Sequence, residues 1–87
     1  MKNLERLLKA LANRRRLEIL KVLKKEREGE LSVGEIAERI GLSFKATSRH
    51  LSILIGADIL EKEQRGLRVF YKLAASDKIA KHVVAAL

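Results

Sequence analysis

Three residues, Gly41-Leu42-Ser43, separate two runs of helical periodicity, and no other feature of the chain restricts its fold as tightly. Upstream, Ser32-Val33-Gly34-Glu35 has the form of a capping box, with a hydroxyl at the N-cap and a carboxylate three residues on. Ile36, Ala37 and Ile40 then give a short helix one apolar face. Gly41 suits the C′ position, where a positive φ costs glycine little. Ser43 offers a new N-cap, and Thr47, Leu51 and Leu54 line one side of a helix running from Phe44 to about Ile55. A turn this short fixes the crossing angle of its two helices. That arrangement is the core of a helix-turn-helix.

The flanks complete a domain. Asn3 can cap a first helix in which Leu4, Leu7, Leu8 and Leu11 form an apolar stripe. Asn13 can cap a second, with Leu17, Ile19, Leu20, Val22 and Leu23, that runs to about Lys25. Glu26 to Glu30 is a polar break containing Gly29. After Gly56-Ala57-Asp58 the pattern turns from helical to extended. Ile59 to Gln64 leads into Arg65-Gly66-Leu67-Arg68, and Val69, Tyr71 and Leu73 alternate beyond it. This predicts a two-stranded hairpin with a basic, glycine-containing tip. Asp77 or Ser76 can cap a last helix with Ile79, Val83, Val84 and Leu87 on one stripe. The expected fold is mainly α with a small β-hairpin, in the order α-α-α-α-β-β-α: a winged helix-turn-helix, one domain over residues 1–87.

Composition excludes several functions. The chain has no Cys and two His (His50 and His82), so disulfides, thiolate nucleophiles and thiolate metal sites are ruled out and a structural metal is not expected. Neither a cofactor nor a catalytic nucleophile–base pair, phosphate loop or carboxylate dyad is legible, so no enzyme is expected. No run approaches the ~18 apolar residues of a membrane span, and Met1 to Arg6 lacks a signal peptide's apolar core, which makes the cytoplasm the expected compartment. Only Phe44, Phe70 and Tyr71 are aromatic, too few for a platform that stacks single strands. The scarcity of Asn, Gln and Met beside 34% charged residues resembles a heat-adapted composition.

The formal net charge is +8, and it is uneven. Residues 1–30 carry 10 basic and 5 acidic groups, residues 31–60 carry 3 of each, and residues 61–87 carry 6 and 3. Basic ends flank a neutral helix-turn-helix, and a balance of this sign favours a polyanionic partner.

Three stretches resemble one known family, in collinear order from about Leu4 to Leu73. Leu8-Lys9-Ala10-Leu11-Ala12-Asn13-Arg14-Arg15-Arg16-Leu17-Glu18-Ile19-Leu20 is similar to the opening of ArsR-like transcriptional regulators. Glu35 to Ser43 together with Ser48-Arg49-His50-Leu51 resembles that family's helix-turn-helix. Ile59-Leu60-Glu61 with Arg65 to Leu73 resembles its wing. The resemblance implies a homodimer paired through the first and last helices, with Leu4, Leu7, Leu8, Leu11, Ile79, Val83, Val84 and Leu87 at the interface. Alternatively, the two stripes pack on each other within one chain. The resemblance also locates the family's thiolate metal site, where this chain has Ser32 and Gly34 instead of cysteines. Asp77 and His82 do not have the Asp-x-His spacing of the family's other metal site.

The implied function is sequence-specific binding of double-stranded DNA by a homodimer, as a transcriptional regulator and repressor, without the cysteine metal site and with an unknown effector. A two-fold dimer implies a roughly palindromic operator with half-sites near 10–11 bp apart or a multiple of it. The expected DNA contacts are Ser43, Phe44, Lys45, Thr47, Ser48, Arg49, His50 and Ser52 on the second helix of the motif, and Arg65 and Arg68 on the wing, which would reach the backbone or the narrow minor groove. Lys62 and Lys72 add charge, and Arg14, Arg15 and Arg16 offer phosphate contacts. Arg49 either reads guanine through O6 and N7 or contacts phosphate alone. Phe44 either meets a thymine methyl or packs as a local staple. Thr47 packs inward in preference to making a weak polar contact, and His50 fits a hydrogen-bonded structural role. The competing class is a winged helix that binds protein or RNA without reading DNA sequence.

Overall fold

The computed structural model describes residues 2–74 and 77–87, with side chains from residue 4 onward. Its elements are α1 (Lys2–Leu11), α2 (Arg14–Lys25), β1 (Glu30–Ser32), α3 (Val33–Ile40), α4 (Phe44–Gly56), β2 (Leu60–Arg65), β3 (Arg68–Leu73) and α5 (Lys78–Ala86). Local chemistry sets most of these boundaries. Asn13 accepts the Arg16 backbone N–H at 3.1 Å and starts α2. The capping box before α3 is reciprocal: Glu35 N–H donates to Ser32 Oγ at 3.3 Å, and Ser32 N–H donates to Glu35 Oε1 at 2.9 Å. Gly41, at φ 66°, ends α3 in the left-handed region, and Ser43 then accepts the Ala46 N–H at 3.1 Å to open α4. Asp77 caps α5 through the Ile79 and Ala80 N–H groups.

Two expectations change. α1 begins at Lys2, so Asn3 lies inside the helix and is not its cap. The expected element order also lacks a strand. β1 pairs antiparallel with β3, and the sheet is three-stranded in the order β1-β3-β2. Three residues are too few to show alternation, and only Leu31 turns fully inward. The hydrogen bonds that define β1 come from a partner far along the chain. Ser76 lies outside the described residues.

α2 is the hub, with α1, α3, α4, α5 and β3 all packing against it. Ile19, Leu20 and Leu23 from α2 meet Ile36, Leu51, Leu54 and Ile59 in a core where each is almost wholly buried. Burial of this kind contributes about 1.5–3 kcal/mol per large aliphatic side chain. The consequence for function is positional, because α4 is clamped along its inner face and its outer face is left free.

Candidate nucleic-acid interface

The inner face of α4 is Thr47, Leu51 and Leu54. Helical geometry then turns Lys45, Arg49 and Ser52 outward, and all three are exposed, with Ser48 half-buried beside them. Among the described residues, neither Lys45 nor Arg49 forms an ion pair, so both charges are free for a ligand. Ser43 is committed as the α4 cap through its hydroxyl. Phe44 is 64% exposed, so it does not fold back as a staple. Thr47 is fully buried, and its Oγ1 has no hydrogen-bond partner among the described residues. The side chain therefore presents nothing to a groove.

His50 faces the body of the protomer. Arg16 Nη1 donates to His50 Nδ1 at 3.2 Å. A guanidinium cannot accept, so the ring is neutral with its proton on Nε2. Burial, then the positive charges of Arg16, Arg15 and Arg49, hold its pKa below the ordinary 6.5. The same Arg16 donates from Nε to Ala10 O at 2.7 Å and from Nη2 to Lys9 O at 3.1 Å. These are last-turn carbonyls of α1, which the helix itself leaves unsatisfied. Arg16 thus joins α1, α2 and α4 at one point. Arg15 donates to Ile40 O at 2.9 Å and pairs with Glu18. Arg14 is exposed whereas Arg15 and Arg16 are half-buried, so the run supplies less free charge than its sequence suggests.

The wing is built around Phe70. The Arg65 guanidinium lies 4.2 Å from its ring centroid and that of Arg68 lies 4.8 Å away. Arg65 also pairs with Glu30 on β1 and with Glu63, and Arg68 lies 3.7 Å from Glu35 of the α3 capping box. That carboxylate is held below its usual pKa, chiefly by hydrogen bonds from the Ser32 backbone and side chain, with burial opposing them and Arg68 and Arg39 adding smaller favourable effects. Both wing arginines are therefore oriented in advance, Arg65 more tightly than Arg68. Lys72 pairs with Glu61 and Glu63, whereas Lys62 forms no ion pair among the described residues.

The wing faces the same side as α4. A cleft of about 420 Å³ lies between them, lined by Ser32, Gly34, Phe44, Ser48, Leu67 and Arg68 among others. Sequence reasoning missed the Arg16 junction, the double stack on Phe70, and Leu67. The first two depend on distant contacts, and Leu67 sat in the tip motif without being singled out.

The residues expected at a dimer interface divide. Leu7 and Leu11 are buried within the protomer, at 3% and 6% exposure. Leu4, Leu8 and Ile79 are exposed, and Val83, Val84 and Leu87 are half-buried. Ala80 is the inward anchor of α5. Among the described residues no three His, Asp or Glu side chains gather as metal ligands, and no helix is long and apolar enough to cross a membrane.

Two helices about a tight turn, with a hairpin docked beside the second, define a winged helix-turn-helix protein. Residues 13–62 match the family of bacterial regulatory proteins described as the arsR family, and the chain belongs to that family. It is 42% identical over 71 residues to the transcriptional activator HlyU of Vibrio cholerae, a match covering 82% of this chain and 63% of HlyU, so the chain spans just under two thirds of that relative. It is 34% identical over 65 residues to the transcriptional repressor SdpR of Bacillus subtilis, covering 75% of this chain and 69% of SdpR. The solved structure of Vibrio cholerae HlyU aligns with a TM-score of 0.82 at 36% identity, over 98% of this chain and 87% of that one. The homodimeric winged helix-turn-helix DNA-binding domain Mb0332 of Mycobacterium bovis aligns with a TM-score of 0.83 at 32% identity, over 98% of this chain and 75% of that one.

Proposed function

We propose that this chain is a sequence-specific regulator of transcription that binds double-stranded DNA as a homodimer. The observation that carries the reading is the free outer face of α4, where Lys45 and Arg49 carry no ion pair among the described residues while the inner face is locked into the core. A helix presented in this way fits the major groove. Arg49 reads a guanine edge, Lys45 and Ser48 hold phosphate, and Arg68 contacts the backbone from the wing. Arg65 supports the wing more than it contacts DNA.

Dimerisation through α1 and α5 covers Leu4, Leu8 and Ile79, with Val83, Val84 and Leu87 beside them. Leu7 and Leu11 remain core residues of each protomer. The homodimeric Mycobacterium domain supports the dimeric state. A two-fold dimer reads a roughly palindromic operator with half-sites near 10–11 bp apart or a multiple of it. Residues 1–87 then act as one domain, and occupancy of an operator represses, as the SdpR name describes for that relative. Sensing through the family's cysteine site has no ligands here: the Ser32 hydroxyl is engaged in the capping box and Gly34 has no side chain.

The test is a titration of labelled duplex DNA, with single-stranded DNA and RNA as controls and with salt varied. The expected result is preference for duplex and a steep fall of affinity with salt. Equal binding to RNA, or binding insensitive to salt, refutes the reading.

A further inference from the structure

Leu67 stands at the wing tip with 101% relative exposure, and no apolar group of the fold covers it. It follows Gly66, whose φ of 62° makes the sharp reversal between β2 and β3, and Arg65 and Arg68 face each other across the strands on either side. Turn chemistry does not call for leucine there, since hairpin loops of this length favour Gly, Asn and Asp. A phosphate-binding tip would be better served by a polar or basic residue. The fold gains nothing from this side chain, which leaves it free for a contact outside the protomer.

The surroundings select the partner. Leu67 and Phe44, both strongly exposed, line opposite sides of the cleft between wing and α4, with Ser48 and Arg68 also on its wall. The tip's arginines are each paired with glutamates, whereas Lys45 and Arg49 across the cleft on α4 form no ion pair among the described residues, so a polyanion is drawn to the α4 side of the apolar point. A phosphate strand lying in the cleft puts the major groove on the side of α4 and the minor groove on the side of the wing. A two-residue loop is slim enough for a groove about 6 Å wide.

We infer that Leu67 is an apolar wedge that the wing sets into the minor groove beside each half-site, so that the protein discriminates flanking sequences by how easily a base step opens. The inference rests on the DNA-binding reading above. Apolar side chains inserted at a step partly unstack it and kink the duplex, and pyrimidine–purine steps yield more readily than A-tracts. Specificity would thus extend beyond the bases that Arg49 touches.

The experiment measures binding of the unmodified protein, Leu67→Ala, Leu67→Ser and Leu67→Met to duplexes carrying one selected half-site pair, flanked by a TA step or by an A-tract. Bending is read by energy transfer between end labels. Because Leu67 is wholly exposed, thermal unfolding should be the same in all variants. The expected result is an affinity loss of about tenfold for the Ala and Ser variants on the TA flank, a smaller loss on the A-tract, and a reduced bend. Leu67→Met should restore both. Ala and Ser variants that bind and bend every flank like the unmodified protein overturn the wedge while leaving the DNA-binding reading intact. Failure of the unmodified protein to bind any duplex overturns both.

Discussion

Replacing Arg16 by methionine keeps the aliphatic stem of the side chain and removes its guanidinium. Three hydrogen bonds go with it, to Ala10 O at 2.7 Å, Lys9 O at 3.1 Å and His50 Nδ1 at 3.2 Å. A hydrogen bond involving a charged group contributes about 1.5–3 kcal/mol when it is lost from a site that water does not reach. The bond to Lys9 O is exposed and water replaces it at little cost. The other two are partly buried, so the expected loss is about 2–4 kcal/mol. That is a large share of the roughly 4–13 kcal/mol expected of a domain this size. Methionine also removes one of the charges that depress the His50 pKa, so the ring should titrate at higher pH. The assay is urea unfolding followed by circular dichroism, at fixed protein concentration because dimerisation contributes to stability. Histidine titration by NMR provides the second reading. Arg16→Lys should recover little, since a single ammonium cannot reach all three acceptors in the geometry of the fork. A loss below about 0.5 kcal/mol would refute the claim that Arg16 fastens α1 to the DNA-reading helix.

Thr47→Val removes a buried hydroxyl that has no partner among the described residues, so stability should rise by about 1 kcal/mol with DNA affinity unchanged, as unfolding and binding titrations will show. His50 has a folded pKa below its unfolded value near 6.5, so its contribution is present above that pH and is lost as pH falls through the folded pKa. The unfolding midpoint should therefore drop as the pH is lowered below about 6.5, and His50→Gln should flatten that drop. Arg49→Ala should cost about 1–3 kcal/mol on the preferred duplex and relax one base position per half-site, read by competition against single-base variants. Arg68→Ala should weaken all duplexes alike and reduce the salt slope by about one, read from affinities between about 50 and 200 mM salt.

The caps and the turn were legible because they depend on neighbours in sequence. Ser32 with Glu35, Gly41, Ser43, Asn13 and Asp77 each act within a few residues of their partners. The inner face of α4 followed from periodicity alone. β1 was not legible, because a three-residue strand exists only through its pairing with β3. Burial also split the α1 stripe in a way that spacing does not reveal: Leu4, Leu7, Leu8 and Leu11 share a helical period, yet only Leu7 and Leu11 reach the core. Within the site, composition registered every arginine as positive charge. It did not show that Arg16 is spent on carbonyls and His50, that Arg65 is held by Glu30 and Phe70, and that Arg49 has no ion pair among the described residues. Those distinctions require three-dimensional neighbours.

The most direct test of the central claim is selection of bound duplexes from a random pool by the purified protein, followed by sequencing. The expected result is enrichment of an inverted repeat with half-sites about one helical turn, or a multiple of it, apart, and loss of one position in each half when Arg49→Ala replaces the unmodified protein. A pool that emerges without a consensus, or a consensus that Arg49→Ala leaves unchanged, would contradict it.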